Sequence, residues 1–231
     1  KFTGTSTSDF TYIDTNYRPS NNTRIDFKTV LPSNRVIVTP YDLVTMFSAM
    51  TWTNSRYHNG GDLSFIFCLR TNNSSNTTFI GGSRSAYNAN NKYEYPIGQP
   101  FLCVDYIEHT IEGSISTSQF IMNIDGTTNT YTPQASPWSG LDGTANTVSN
   151  ICLGGAAYVN SSGDLDPKCF VEQNMYYFKI YNNDELVRDY IPVKRLSDNI
   201  CGMYDKVNDI FYSSSNSTQF IGTSKSTPEY I

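Results

Sequence analysis

The residues of this chain that could do chemistry are few and poorly grouped. Its only histidines are His58, in RYHNGGD, and His109, in IEHTIEG. A hydrolytic triad needs one of them beside a nucleophile and an acid, and the sequence has no Gly-x-Ser-x-Gly elbow. His58 reads as a loop residue and His109 as a packed or solvated strand position. Glu108 and Glu112 flank His109 at i,i+4. On a strand both would point to one face about 13 Å apart. A retaining glycoside hydrolase wants its carboxyl groups about 5 Å apart, and no Glu-x-Asp-x-Glu strand occurs. These residues predict a non-enzymatic chain.

Metal and sugar chemistry have better candidates. Cys68, Cys103, Cys152, Cys169 and Cys201 contain no C-x-x-C, so zinc spacing is absent. Contexts such as FIFCL and FLCV read as reduced, buried thiols packed as small hydrophobes, with a Cys152–Cys169 disulfide left open. No cofactor is expected, save for a calcium site that Asp164 and Asp166, in SSGDLDPK, could begin. Calcium wants six to eight oxygens, more than these two supply. A glycan needs an aromatic plate for the apolar face of a sugar, bordered by amide, carboxylate and glycine groups. TWTNSRYHNGGD, with Trp52, Tyr57 and Asn59, and ASPWSGLDG, with Trp138 and Asp142, have that composition. Trp52 also suits a core, since Trp is usually well buried. Trp138, between Pro137 and Ser139-Gly140, is the better exposed candidate.

The elements that must position these residues read as strands. The chain has 231 residues, and 16% are charged against an average of about 25%. Asn, Ser, Thr, Tyr and Phe take the difference. Runs alternating at period two recur between turn-formers: TRIDFKTV, LSFIFCLR, FLCVDYIEHTIEG, QFIMNIDGTTNTYT, ICLGG and MYYFKIY. Asp125-Gly126 predicts a type I′ hairpin. In KIYNNDELVRDYIPVKR the Asn182-Asn183-Asp184 run closes a second hairpin, and Pro192 disfavours helix before it. Arg188 and Asp189 then point to opposite faces and, with Asp184 and Glu185, read as turn and strand-surface charges. GMYDKVNDIFY repeats the pattern. Residues 39–50, TPYDLVTMFSAM, read as a turn where a helical turn competes, residues 70–95 as a strand with long loops, and SSSNSTQF as a hairpin tip. Residues 1–231 form one all-β domain, a two-sheet antiparallel β-sandwich.

Other function classes are disfavoured. A net charge of −5, a pI near 4.9 and no basic stripe argue against nucleic acid. No apolar run reaches the roughly 18 residues of a membrane span. KFTGTSTSDF opens without an initiator Met or an apolar signal segment, and reads as a processed product, a trimmed chain or a fragment of something longer.

Taken in order, YIDTNYRPSNNTRIDFK, FIMNIDGTTNTY, ICLGG and KIYNNDELVRDYIPV...GMYDKVNDIFY...FIG resemble the concanavalin A-like (LamG-like, jelly-roll) domains of phage virion proteins and gut-bacterial surface proteins. The resemblance runs from Tyr12 to about Gly222. It implies a concanavalin A-like jelly roll serving in a virion as a head fibre, decoration protein or tail-fibre tip, made in the bacterial cytoplasm. Its implied partners are a host-surface glycan or other virion proteins, and its implied state is a homo-oligomer, such as a trimer. The alternative is a carbohydrate-binding LamG-like module of a secreted or cell-surface bacterial protein. Sandwich folds host many functions, so the fold is the firmer half of what the resemblance implies.

Overall fold

In TRIDFKTVL the side chains of Thr23, Ile25, Phe27 and Thr29 are buried, and Arg24, Asp26 and Lys28 between them are half-buried on the other face. That alternation is repeated along the chain and builds the molecule. The computed structural model describes residues 1–4, 9–20, 22–38, 43–51, 64–72, 76–84, 107–116, 119–131, 149–159, 165–168, 170–222 and 229–230. These residues contain strands and no helix. In chain order the strands are β1 (Ile13–Asp14), β2 (Thr23–Leu31), β3 (Ile37–Val38), β4 (Leu43–Thr51), β5 (Ser64–Asn72), β6 (Asn76–Arg84), β7 (His109–Ile115), β8 (Phe120–Ile124), β9 (Thr127–Tyr131), β10 (Cys152–Leu153), β11 (Ala156–Val159), β12 (Leu165–Lys168), β13 (Phe170–Val171), β14 (Asn174–Asn182), β15 (Glu185–Lys194), β16 (Cys201–Asp205), β17 (Ile210–Tyr212) and β18 (Glu229–Tyr230).

Two sheets result. The longer has the order β17-β16-β15-β14-β2-β7-β8-β9, antiparallel throughout, with β18 added in parallel along the end of β15. The other runs β1-β10-β4-β11-β12 and extends from β4 through β5 to β6. Its one parallel pair is β4 with β11, and a short ladder joins β3 to β13. The sheets pack face to face. Phe47 of β4 meets Phe27 of β2 and Phe178 of β14 edge-on, at centroid distances of 5.1 and 4.9 Å. Around them one buried cluster holds Ile25, Ile111, Ile115, Met122, Ile180, Tyr190 and Met203 of the long sheet against Ile13, Met46, Ala49 and Leu153 of the other. Each large apolar side chain so buried contributes about 1.5–3 kcal/mol. Polar bridges cross the layer: the Thr29 hydroxyl donates to Gln173 Oε1 (2.9 Å), Gln173 Nε2 donates to the Met46 carbonyl (2.9 Å), and the Tyr190 hydroxyl donates to the Thr15 carbonyl (3.2 Å).

The turns are closed as their residues predict. Asp125 and Gly126 have φ of 50° and 87°, and Asn183 and Asp184 have φ of 50° and 60°, the two positive values of a type I′ turn. Gly113 sits mid-strand for a different reason. The Phe27 ring lies across it, and a Cβ there would stand 2.7 Å from Phe27 Cε1.

Several segments differ from the sequence reading. The stretch read as a turn, TPYDLVTMFSAM, contributes central strand β4. Met46, Phe47 and Ala49 are all buried, so the run carries no period-two signal, and short apolar runs cannot be told apart by periodicity. The strand expected around Phe79 and Ile80 is β6, paired with β5 from Ser64↔Arg84 to Asn72↔Asn76, while residues 73–75 and 85–95 of the stretch read as long loops lie outside the described residues. Strand β7 begins at His109, with Ile107 and Glu108 outside it. SSSNSTQF is no hairpin tip. It runs without strand along the N-terminal segment, where Ser215 N donates to the Tyr12 carbonyl (2.8 Å) and Phe220 packs edge-on against Phe2 at 4.8 Å. Cys152 is a buried free thiol, so it is not bridged to Cys169.

Candidate functional site

The charged run of β15 serves the fold. Asp205 is 0% exposed. Its Oδ1 accepts from the backbone amides of Asp189 (3.0 Å) and Val207 (3.1 Å), and its Oδ2 accepts from Asn208 Nδ2 (2.7 Å). Arg188 Nε lies 3.5 Å from Asp205 Oδ2, and Lys206 Nζ lies 2.9 Å from Asp189 Oδ2. Arg188 and Asp189 do point to opposite faces. They are not surface charges, however: their side chains are only 20% and 9% exposed. Each is drawn under the β16–β17 turn by an oppositely charged residue that contiguous sequence does not place beside it.

The histidine and carboxylate candidates are also engaged. His109 Nδ1 lies 2.7 Å from Asp125 Oδ2, while Asp125 Oδ1 accepts from the Thr110 amide at 2.8 Å. The pair pins the β8–β9 turn to β7. Glu108 precedes the strand and Glu112 lies within it, so the two do not share a strand face as the i,i+4 spacing predicted.

Of the expected sugar residues, Trp52, Tyr57, Asn59, Trp138 and Asp142 all lie outside the described residues, as do His58 and the calcium candidate Asp164. Asp166 belongs to β12, opposite Tyr158 of β11. Among the described residues no group of three or more His, Cys, Asp or Glu could hold a metal ion.

What the described residues do assemble is a polar and aromatic face on the outside of the long sheet. Register sets it out in cross-strand rows. Tyr177 stands opposite Lys28, and Lys28 opposite Glu112. Asp189, Lys179, Asp26 and Ser114 form the next row, followed by Tyr181 opposite Arg24. The side chains hold one another. Tyr177 donates its hydroxyl to Glu112 Oε1 at 2.6 Å, and Lys28 Nζ lies 3.4 Å from Glu112 Oε2. Ser114 donates to Asp26 Oδ1 at 2.7 Å, and Arg24 bonds Asp26 Oδ2. The Arg24 guanidinium lies 3.7 Å from the centre of the Tyr181 ring, a cation–π contact. Burial, then the bond to Glu112, pushes the Tyr177 phenol above its ordinary value and keeps it a donor. The face therefore offers two fixed phenol rings among paired hydrogen-bonding groups. Period-two alternation put Arg24, Asp26 and Lys28 on one face of their strand. The strand pairing that brings β14 and β7 beside them is a non-local fact.

No protein-family model and no curated protein matches the chain. Among solved structures, full-length tailspike protein 2 of the Escherichia coli O157:H7 bacteriophage CAB120 is similar over 75% of this chain and 22% of its own, at 11% identity and a TM-score of 0.38. This chain thus spans well under two thirds of that protein's length. Scytalido-glutamic peptidase, bound to a peptide-based transition-state analogue, is similar over 87% of this chain and 92% of its own, at 11% identity and a TM-score of 0.32. A toad ovary galectin, in complex with thio-digalactose, is similar over 71% of this chain and 98% of its own, at 9% identity and a TM-score of 0.18. Likenesses at these TM-scores carry no argument about what this chain does.

Proposed function

We propose that this chain is a non-enzymatic, glycan-binding β-sandwich of the concanavalin A-like kind, serving in a phage virion as a fibre, decoration or tail-tip module. The observation that carries the glycan reading is the outer face of the long sheet, where Tyr177 and Tyr181 are held by Glu112 and Arg24 among prepaired polar side chains. Sugars stack their apolar faces on aromatic rings and direct their hydroxyls to such groups. Side chains already fixed lose little freedom on binding, which favours affinity. The non-enzymatic part is supported by Asp26, Glu112, Asp189, Asp205 and His109, each of which has a structural partner. The virion part rests on the resemblance from Tyr12 to Gly222. A module of a secreted bacterial surface protein would share the same glycan chemistry and differ in its neighbours.

Trp138, Asp142, Tyr57, Asn59 and Trp52 stand as a second candidate sugar site, and Asp164 with Asp166 as a calcium site. A homotrimer is the proposed assembly. The test is a panel of bacterial polysaccharides presented to the purified protein, its Tyr181→Ala variant and its Trp138→Ala variant, with oligomeric state measured by sedimentation and EDTA as a further arm. Saturable binding that Tyr181→Ala weakens and Trp138→Ala leaves intact supports the sheet face. Loss in Trp138→Ala alone moves the site to the segment around Trp138, and no binding by the folded protein removes the glycan function.

A further inference from the structure

Lys179 occupies the centre of the tyrosine face and differs from the other cations around it. Arg24 is bonded to Asp26 and lies 3.7 Å from Asp184; Lys28 is paired with Glu112, and Lys206 with Asp189. Lys179 stands opposite both Asp26 and Asp189 in register, yet Asp26 Oδ2 bonds Arg24 and Asp189 Oδ2 bonds Lys206, while Asp189 Oδ1 is buried without a hydrogen-bond partner. Its ammonium has instead the Tyr177 ring, 5.6 Å away. Tyr177 and Tyr181 sit at i−2 and i+2 from Lys179 on the same strand. Their Cα atoms are therefore about 13 Å apart along the strand, with the cation midway. A bound chain of sugars crossing from one ring to the other passes over Lys179.

Resting on the glycan-binding reading above, we propose that the ligand is an acidic polysaccharide whose sugar carboxylate is received by Lys179 between Tyr177 and Tyr181. Each phenol supports a ring, and the ammonium supplies a charge-assisted hydrogen bond, stronger than a neutral one. The face thus selects uronate-type sugars over neutral ones.

The test uses oligogalacturonate and oligomannuronate, each beside its methyl ester, which keeps the shape and removes the charge. Binding to the whole chain is read by calorimetry at low and at 0.15 M salt. The expected result is about fivefold tighter binding of the acid than of the ester at low salt, the worth of one exposed ion pair. That preference shrinks at the higher salt, where the screening length is about 8 Å. It disappears in Lys179→Gln and is retained in Lys179→Arg, with melting curves showing that both variants are folded. Equal binding of acid and ester, or a preference that survives Lys179→Gln, overturns the inference and leaves the glycan reading standing. If the wider polysaccharide panel yields no ligand either, both fail together.

Discussion

At the residue scale, Asp205 carries more of the fold than any residue able to do chemistry. It satisfies two backbone amides and an asparagine and balances Arg188, all beneath one turn. Replacing it with Ala leaves a half-buried guanidinium and two amides without their acceptor. Asp205→Ala should lower unfolding stability by about 3 kcal/mol, read as a shift in the urea midpoint. Tyr190 sets an alkaline limit. Burial, then the nearby Tyr212 and Asp205, raises its phenol pKa in the folded state above that of the unfolded chain. Stability from this group is therefore complete below about pH 10 and is lost as pH rises further, because the unfolded chain ionises first. Urea midpoints measured from pH 8 to 11.5 should fall steeply above pH 10 in the native protein and less steeply in Tyr190→Phe. None of this was visible in the local sequence: Arg188 and Asp189 looked like surface charges because their partners lie in the next hairpin.

At the element scale, hairpins were the most legible feature. Asp125-Gly126 and Asn183-Asp184 announce type I′ turns because few residues accept positive φ at two successive positions. The second turn carries Asp where Gly is the better fit, and the Asp184 side chain is 92% exposed, with only a 3.7 Å contact to Arg24. Asp184→Gly should therefore stabilise the protein by about 0.5 kcal/mol, measurable as a higher urea midpoint. Strand β4 was the least legible. LVTMFSAM lies in the middle of its sheet, and its residues 45–49 are all buried, a run without alternation that gives no period to read. The hairpin expected at SSSNSTQF failed for another reason. Its Asn216 hydrogen-bonds Ser214, Thr218 and the Phe10 carbonyl, which fixes an irregular path along the N-terminal segment.

At the scale of the whole molecule, the two sheets are held by a small number of large side chains. Phe47 touches both Phe27 and Phe178 across the layer, so Phe47→Ala should cost about 3–5 kcal/mol in a single cooperative urea transition. Sandwich architecture was legible because alternation and turn chemistry agree. The proposed binding face was not, because it exists only when β14, β2 and β7 lie side by side in one register. Tyr177, Lys28 and Glu112 are scattered along the chain and become neighbours only through that pairing. The most direct measurement of the central claim is an NMR titration of the labelled protein with the tightest-binding glycan of the panel. The account predicts that amide shifts concentrate at residues 24–28, 110–114 and 177–181. Shifts confined to the segments around Trp52 and Trp138, or no shifts at all, would contradict it.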